Sequence, residues 1–138
     1  MSHPLRKVSA MLEEQINKLA QGKNFAAVTT LLPDGTPQTK PLWIDSDGEH
    51  LVFNTEVHRR GFKNIQRDPR VTVAIIDQDN PYKYVEVRGH VVETVTGPEA
   101  RAHIDQLAHK YMGVDSYPGK IDSERVIVKV APDYQFVR

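Results

Sequence analysis

The sequence predicts a mainly β domain, an antiparallel barrel with helical covers. Segments rich in strand-favouring residues outnumber the helical ones, and tight turns at residues 33–36 and 46–48 join the first three strands without a helix between them. The longest strand segment, residues 82–95, would extend about 45 Å, so it must bend to fit a small domain. At 138 residues, the chain is expected to form a single domain over residues 1–138.

The elements follow in a meander. A first helix is expected from Ser9 to Gln21, because Leu12, Ile16 and Leu19 recur at helical spacing before Gly22. A short helix opens near Arg59. A longer helix runs over residues 98–112, followed by a polar loop at residues 114–122. The strands are expected at residues 25–32, 37–45, 50–55, 70–77, 82–95 and 124–130.

Three of these elements carry particular signals. Residues 70–77 run apolar after an alternating start, which is typical of a central strand buried on much of both faces. Gly89 interrupts the longest strand, where a β-bulge or a sharp coil is expected. Pro98 is acceptable in the first turn of its helix. The order of the elements, a meander of strands with helices outside it, favours an antiparallel barrel over a parallel α/β sheet.

Composition excludes several classes of function. Eighteen basic residues balance eighteen acidic ones, so the overall positive field that nucleic-acid binding normally requires is missing. The absence of cysteine excludes a disulfide, a thiolate nucleophile and a cysteine-type zinc site, and no histidine pair has zinc-binding spacing. No apolar run approaches the roughly 20 residues that span a bilayer. A cytoplasmic protein without nucleic-acid, membrane or metal binding is expected.

The strongest candidate site lies at the start of the short helix. Arg59 and Arg60 fall in or beside its first turn, where unpaired N–H groups and the helix dipole already favour an anion. A phosphate would suit this position, although two arginines on a short helix also fit an ordinary solvated face. No serine, histidine and acid form a nucleophile motif, so catalytic residues stay unassigned. An enzyme that performs acid–base chemistry with its own side chains is therefore poorly supported.

Five segments in the same order resemble one known family. They are 35–44 (GTPQTKPLWI), 53–55 (FNT), 59–60 (RR) with 64–71 (NIQRDPRV), 84–90 (YVEVRGH) and 103–113 (HIDQLAHKYMG). This combination is similar to the pyridoxamine-phosphate-oxidase-like split-barrel flavoproteins, and most similar to the branch that uses the deazaflavin coenzyme F420. The resemblance implies a six-stranded antiparallel split β-barrel of the FMN-binding type. It also implies a homodimer with two cofactor sites in clefts between the subunits.

The resemblance also implies which residues line such a cleft. Gln38 and the segment Lys40, Pro41, Leu42 and Trp43 match the strand along the cofactor ring, and Asn54 and Thr55 match a strand end near the ribityl chain and phosphate. Arg59 matches a phosphate-contacting cation, with Arg60 beside it. Tyr82, Tyr84 and Arg88 match a strand that reaches the cofactor from the partner subunit. The family usually has a lysine where this chain has Gly61, so Arg60 or Lys63 is expected to replace it, or cofactor affinity is reduced.

Alternatives stay open at this stage. Trp43 also fits an ordinary core or interface position, and Tyr82 and Tyr84 also fit cross-strand packing. The leading functional hypothesis is an F420-dependent reductase that transfers hydride to a small electron-poor substrate, with Lys40, Arg60, Lys63 and Lys83 near the coenzyme's acidic tail. The runner-up is an FMN-binding oxidase or flavin reductase. The third hypothesis is a non-catalytic flavin or F420 carrier, or a small-molecule sensor.

Overall fold

The computed structural model describes residues 11–138, and it confirms the predicted fold class. Within these residues an antiparallel sheet of seven strands curls into a half-barrel, and three helices lie outside it. The strands are β1 (Phe25–Leu31), β2 (Pro37–Trp43), β3 (Asp45–Ser46), β4 (Leu51–Glu56), β5 (Arg70–Ile76), β6 (Tyr84–Val95) and β7 (Arg125–Val137). The helices are α1 (Glu14–Gln21), α2 (Arg60–Arg67) and α3 (Pro98–Met112). The strand order is β2-β1-β5-β6-β7-β4-β3.

The core fills the concave side of the sheet. Leu12, Ile16 and Leu19 are buried there, as their helical spacing predicts. Strand β5 contributes Val71, Val73 and Ile75, and β7 contributes Val126, Val128 and Val130. Because side chains alternate along a strand, Val52 of β4 and Ile127 of β7 face the other side of the sheet, where Ala100 of α3 packs against them.

Some boundaries differ from the sequence prediction. The start of the first helix at Ser9 lies outside the described residues, and α1 begins at Glu14 because Glu13 is extended. The two-residue β3 adds a seventh strand to the expected six, since Asp45 and Ser46 pair with the start of β4. Strand β6 begins at Tyr84 because a turn precedes it, in which Lys83 N donates to Asn80 O at 2.9 Å.

The largest difference concerns β7, which continues to Val137 instead of ending at residue 130. Residues such as Pro132 and Asp133 disfavour strands, so the local pattern stops before them. Strand β7 extends beyond residue 130 because it continues to pair with β6, past a register shift between Arg88 and Gly89. The predicted irregularity at Gly89 is thereby confirmed: a Cβ there would lie 2.1 Å from Ala131 O, so only glycine allows this close approach.

Helix α3 is fastened to the sheet by its last turn. The Lys110 ammonium donates to the carbonyl oxygens of Ala20 at 2.9 Å and Ile44 at 2.6 Å. The Tyr111 hydroxyl donates to Asn24 O and accepts from Ile44 N at 3.0 Å. Burial raises the pKa of Tyr111 to about 12, so it stays a neutral donor. These bonds fix the distance between α3 and β2, and with it the space between them.

Candidate functional site

Two cavities meet at Arg59, which lies between the end of β4 and the start of α2. The first, called here the α3 cavity, has a volume of about 300 Å³ and lies between β2, β4, β7 and α3. The second, the β2 groove, runs along the inner face of β2 towards the first turn of α2. The α3 cavity is lined by Phe25, Pro41, Leu42, Trp43, Asn54, Arg59, Ile104, Leu107, Tyr117 and Arg125. The β2 groove is lined by Val28, Thr30, Gln38, Lys40, Leu42, Phe53, Thr55, Arg59 and Gly61.

Strand alternation divides the predicted β2 residues between these two spaces. Gln38 and Lys40 line the β2 groove, whereas Pro41 and Trp43 line the α3 cavity. Leu42 lies on the wall of both. Successive side chains of a strand point to opposite faces, so one strand can serve two cavities. The same alternation sends Thr55 of β4 to the groove and Asn54 to the α3 cavity.

A buried carboxylate, Glu56, organises the place where the cavities meet. Its Oε2 lies 2.9 Å from Arg59 Nη2 and 3.4 Å from Arg125 Nη1. Its Oε1 accepts hydrogen bonds from the backbone N–H groups of Asp122 and Ser123, both at 2.7 Å. Burial alone would raise the pKa of Glu56, but these N–H donors and the Arg59 guanidinium hold it below its ordinary value. Glu56 therefore stays ionised at neutral pH.

The side chain of Asn54 forms hydrogen bonds to other residues of the same chain. Its Nδ2 donates to Ala100 O at 3.0 Å and lies 3.0 Å from His103 Nδ1, while its Oδ1 accepts from Arg125 Nε at 2.8 Å. Burial lowers the pKa of His103, which favours a neutral ring that can accept from the amide. The side chain of Asn54 thus ties β4 to α3 and β7. Its predicted contact with a cofactor stays a prediction.

The predicted cations fall into two groups. Arg59 lies at the position preceding α2, with 42 % of its side chain exposed despite the Glu56 pair. Arg60 and Lys63 lie around the helix in a separate space of about 420 Å³, called here the α2 basic pocket. Its lining is Pro33, His58, Arg60, Lys63, Asn64 and Arg67. The expected position of the arginine pair at a helix start is confirmed, and the two arginines face different spaces.

Gln38 and Gly61 both line the β2 groove beside α2. Asn64 Nδ2 donates to Gln38 Oε1 and to Thr30 Oγ1, each at 3.0 Å, so Gln38 is held against α2. A Cβ built at Gly61 would meet no atom within 4 Å. The missing lysine of the family pattern thus leaves open space beside Arg59. The position can accept a longer side chain without displacing its neighbours.

Tyr82, Tyr84 and Arg88 do not line either of these cavities. Tyr82 is 83 % exposed, and Tyr84 packs on Phe136 with ring centroids 5.9 Å apart. The Arg88 guanidinium lies over the Tyr134 ring at 4.4 Å and pairs with Glu86 at 3.1 Å. Tyr84 and Arg88 belong to β6, which is three places from β2 in the sheet order, and Tyr82 lies in the turn before it. Their expected role in a partner subunit's site stays a prediction.

Trp43 has both of the roles that its sequence position allows, packing against other aromatic residues and lining a cavity. It stacks on Tyr111 with centroids 5.2 Å apart and an interplanar angle of 4°, and it meets Tyr117 edge to face at 6.0 Å. It also forms a wall of the α3 cavity. It is therefore a packed aromatic residue with one surface left for a ligand.

Sequence reasoning missed Glu56, Arg125 and Tyr117. Glu56 and Arg125 are directly opposite each other on β4 and β7, a pairing that only the sheet register reveals. The one local signal is a charged residue at the edge of an apolar strand segment. Within residues 11–138 no group of three or more metal-type ligands comes together. No helix in that range is long and apolar enough to cross a bilayer.

One family model and several solved structures match this chain. The model of the family described as "Pyridoxamine 5'-phosphate oxidase" matches residues 12–136. A solved structure titled "F420 Reductase" is 34 % identical, with 91 % of this chain and 98 % of that chain covered and a TM-score of 0.79. A search among curated proteins found no match.

Two more distant structures show the same fold alone. A conserved hypothetical protein from Mycobacterium tuberculosis is 24 % identical over 91 % of this chain and 83 % of its own, with a TM-score of 0.70. A putative pyridoxamine 5'-phosphate oxidase from Listeria innocua is 19 % identical over 90 % of this chain and 94 % of its own, with a TM-score of 0.67.

Proposed function

Since the chain belongs to the pyridoxamine 5'-phosphate oxidase family, we propose that it is an F420-dependent reductase that transfers hydride between the deazaflavin coenzyme and a small electron-poor substrate. The family and the 34 % identical F420 reductase structure support an oxidoreductase of the flavin or deazaflavin type. The observation that carries the proposal is the meeting of β2 with the start of α2. There, a partly exposed Arg59 faces a groove whose other polar walls are Gln38, Lys40 and two threonines, the rest being Gly61 and apolar side chains.

The residues of the β2 groove fit the chemistry of such a coenzyme, and since the groove encloses only about 40 Å³ within one chain, most of the coenzyme would lie outside it. Arg59 would hold its acidic group, because a guanidinium and the free N–H groups of a helix start both favour a phosphate. Gln38, Lys40 and Leu42 would lie along the ring, with Thr55 across the groove. When bound, the coenzyme supplies the hydride chemistry. The protein's part is to bind it, orient it and keep one ring face open to substrate.

The α2 basic pocket favours F420 over FMN. His58, Arg60, Lys63 and Arg67 gather on one side of α2, while the whole chain has no net charge. Such a local cluster suits the acidic polyglutamate tail of F420, which FMN lacks. Two of the four expected tail-binding cations, Arg60 and Lys63, belong to this cluster. Lys40 lies in the β2 groove instead, and Lys83 lies in the turn before β6.

FMN remains the second candidate because the family description itself names an oxidase. The β2 groove and Arg59 would receive the phosphate of FMN in the same way. A carrier that binds either cofactor without turnover would use the same residues. We place the protein in the cytoplasm as a homodimer, in which Tyr82, Tyr84 and Arg88 reach the coenzyme of the partner subunit.

A parallel titration with F420, FMN and FAD tests the proposal. F420 should bind most tightly, and Arg59→Ala should weaken its binding about 10- to 150-fold, the value of a charged hydrogen bond of about 1.5–3 kcal/mol. Arg70→Ala is the matched control, since Arg70 is an exposed arginine that pairs with Asp68. Thermal unfolding of each variant checks folding, because Arg59 also neutralises Glu56. Equal affinity of wild type and Arg59→Ala would refute the placement of the acidic group.

Turnover separates the enzyme from the carrier. Reduced F420 mixed with the protein and an enone, a quinone or a nitro compound should be oxidised, which is followed by recovery of its absorbance. Binding of F420 without oxidation in the presence of any of the three substrate classes would favour a carrier. Preferential binding of FMN would favour the oxidase or flavin reductase.

A further inference from the structure

We propose that the α3 cavity is a ligand site for a planar, largely apolar molecule that carries one carboxylate, which Arg125 binds. This inference concerns binding alone and does not require the proposed redox activity. It is based on three features of the cavity: a fixed and incompletely paired guanidinium, an excess of positive charge, and aromatic walls.

Arg125 is fixed in position and incompletely paired. It is 6 % exposed, its Nε donates to Asn54 Oδ1 at 2.8 Å, and its guanidinium lies over the Tyr117 ring at 5.3 Å. Its Nη1 is buried and has no hydrogen-bond partner among the described residues, although Glu56 Oε2 lies 3.4 Å away. A buried donor without an acceptor is destabilising. Because Arg125 also lines the α3 cavity, a ligand oxygen at the cavity side of this guanidinium would be favourable.

The charges around the cavity leave a positive excess. Glu56 is the one carboxylate close to both guanidinium groups, those of Arg59 and Arg125. The other carboxylate oxygen of Glu56 already accepts hydrogen bonds from two backbone N–H groups. Burial lowers the pKa of Arg125, and the nearby Glu56 opposes this effect. Two guanidinium groups at one carboxylate leave one positive charge without a partner. A single anionic group would supply the missing charge, and a carboxylate can accept two parallel N–H bonds from one guanidinium.

The remaining walls are apolar and largely flat. Trp43 and Tyr117 present their rings at right angles, Ile104 and Leu107 of α3 form one side, and Phe25 is 52 % exposed beside them. The volume of about 300 Å³ is at the lower end of small-molecule sites. A bicyclic aromatic ring fits this shape. The combination of one anchoring cation and aromatic walls is what defines the ligand class.

The test uses naphthalene-2-carboxylate as the probe and naphthalene-2-carboxamide as its uncharged counterpart. Trp43 is the one tryptophan of the chain, so its indole N–H gives a single resonance in a nitrogen-15 correlation spectrum. The carboxylate should shift that resonance to saturation, and the carboxamide should bind at least tenfold more weakly. Equal binding of both compounds would overturn the proposal, as would shifts confined to the α2 basic pocket.

Two variants test the residues themselves. Arg125→Met keeps the length of the side chain and removes its charge, and it should weaken carboxylate binding at least tenfold. Ile104→Phe fills the cavity without touching an ion pair, and it should abolish binding of both compounds. Arg70→Met is the matched control and should bind as the wild type does. If Arg125→Met fails to fold, the proposal is tested by Ile104→Phe and by the comparison of carboxylate with carboxamide. Unchanged binding of the carboxylate to Ile104→Phe would overturn the proposal.

Discussion

Among single residues, Glu56 carries a buried carboxylate that Arg59 and Arg125 share. Replacing it with glutamine leaves Arg59 and Arg125 without their shared carboxylate while Arg125 stays buried. We expect Glu56→Gln to lower the free energy of unfolding by about 3–5 kcal/mol, the usual effect of breaking a buried ion pair. Urea unfolding measures it, with the exposed Glu49→Gln as control. A loss below about 1 kcal/mol would contradict the central role of Glu56.

The same residue gives the fold a pH dependence. The pKa of Glu56 is lowered in the folded protein, so on acidification the unfolded chain binds this proton first. Its stabilisation is therefore present above the ordinary glutamate pKa of 4.5 and is lost as pH falls through the lower folded value. We expect the free energy of unfolding to fall from pH 5 to pH 3 more steeply in the wild type than in Glu56→Gln. Parallel curves would contradict this.

Gly61 offers a gain of affinity. A side chain there enters open space beside Arg59 and the β2 groove. We expect Gly61→Lys to tighten F420 binding about tenfold by adding a second charged contact to the acidic group. Gly61→Ala separates this from the general benefit of replacing glycine in a helix, about 0.5–1 kcal/mol. Equal F420 affinity in both variants would show that the acidic group lies elsewhere.

Sequence reasoning reached some of these residues and not others, for a physical reason. Helix starts are local, so Arg59 and Arg60 could be placed from a few neighbouring residues. The Glu56 and Arg125 pair joins positions far apart in the chain, and only the register of β4 against β7 makes them partners. The split of β2 between two cavities follows from strand alternation. The assignment of each face of β2 to a cavity could not be predicted, because it depends on where the helices pack.

For the elements, the pairing of β6 with β7 depends on Gly89. A methyl group there would collide with the Ala131 carbonyl, which belongs to backbone and cannot rotate away. We expect Gly89→Ala to lower the free energy of unfolding by about 1–3 kcal/mol through overpacking. Gly61→Ala is the matched control, because it adds the same methyl group into empty space and should stabilise. Equal changes in the midpoint of thermal unfolding would contradict the crowding.

The strands themselves were predicted well where their pattern is local. The alternation and turn chemistry of residues 25–55 place β1, β2 and β4 within two residues of their observed bounds. The end of β7 could not be predicted, since Pro132 and Asp133 argue against a strand and only the long partner β6 keeps them extended. Tertiary pairing overrides local preference at that place.

The whole molecule is proposed to complete its site as a dimer. Light scattering after size-exclusion chromatography should give twice the chain mass of 15.6 kDa. Arg59→Ala and Tyr84→Ala should each weaken F420 binding if the two residues meet across the interface. Co-refolding the two variants should restore about a quarter of the sites, because half of the randomly formed dimers then carry one intact site. No recovery, or a monomeric mass, would contradict the shared site.

The ammonium of Lys110 bears on the order in which the chain assembles. It binds carbonyl groups near residues 20 and 44, about 90 and 66 positions earlier in the chain. These acceptors come together only after α1 and the first hairpin have taken their places, and closing such long loops is entropically unfavourable. The last helix should therefore acquire amide protection late in refolding, and substitutions at Lys110 should accelerate unfolding more than they slow folding.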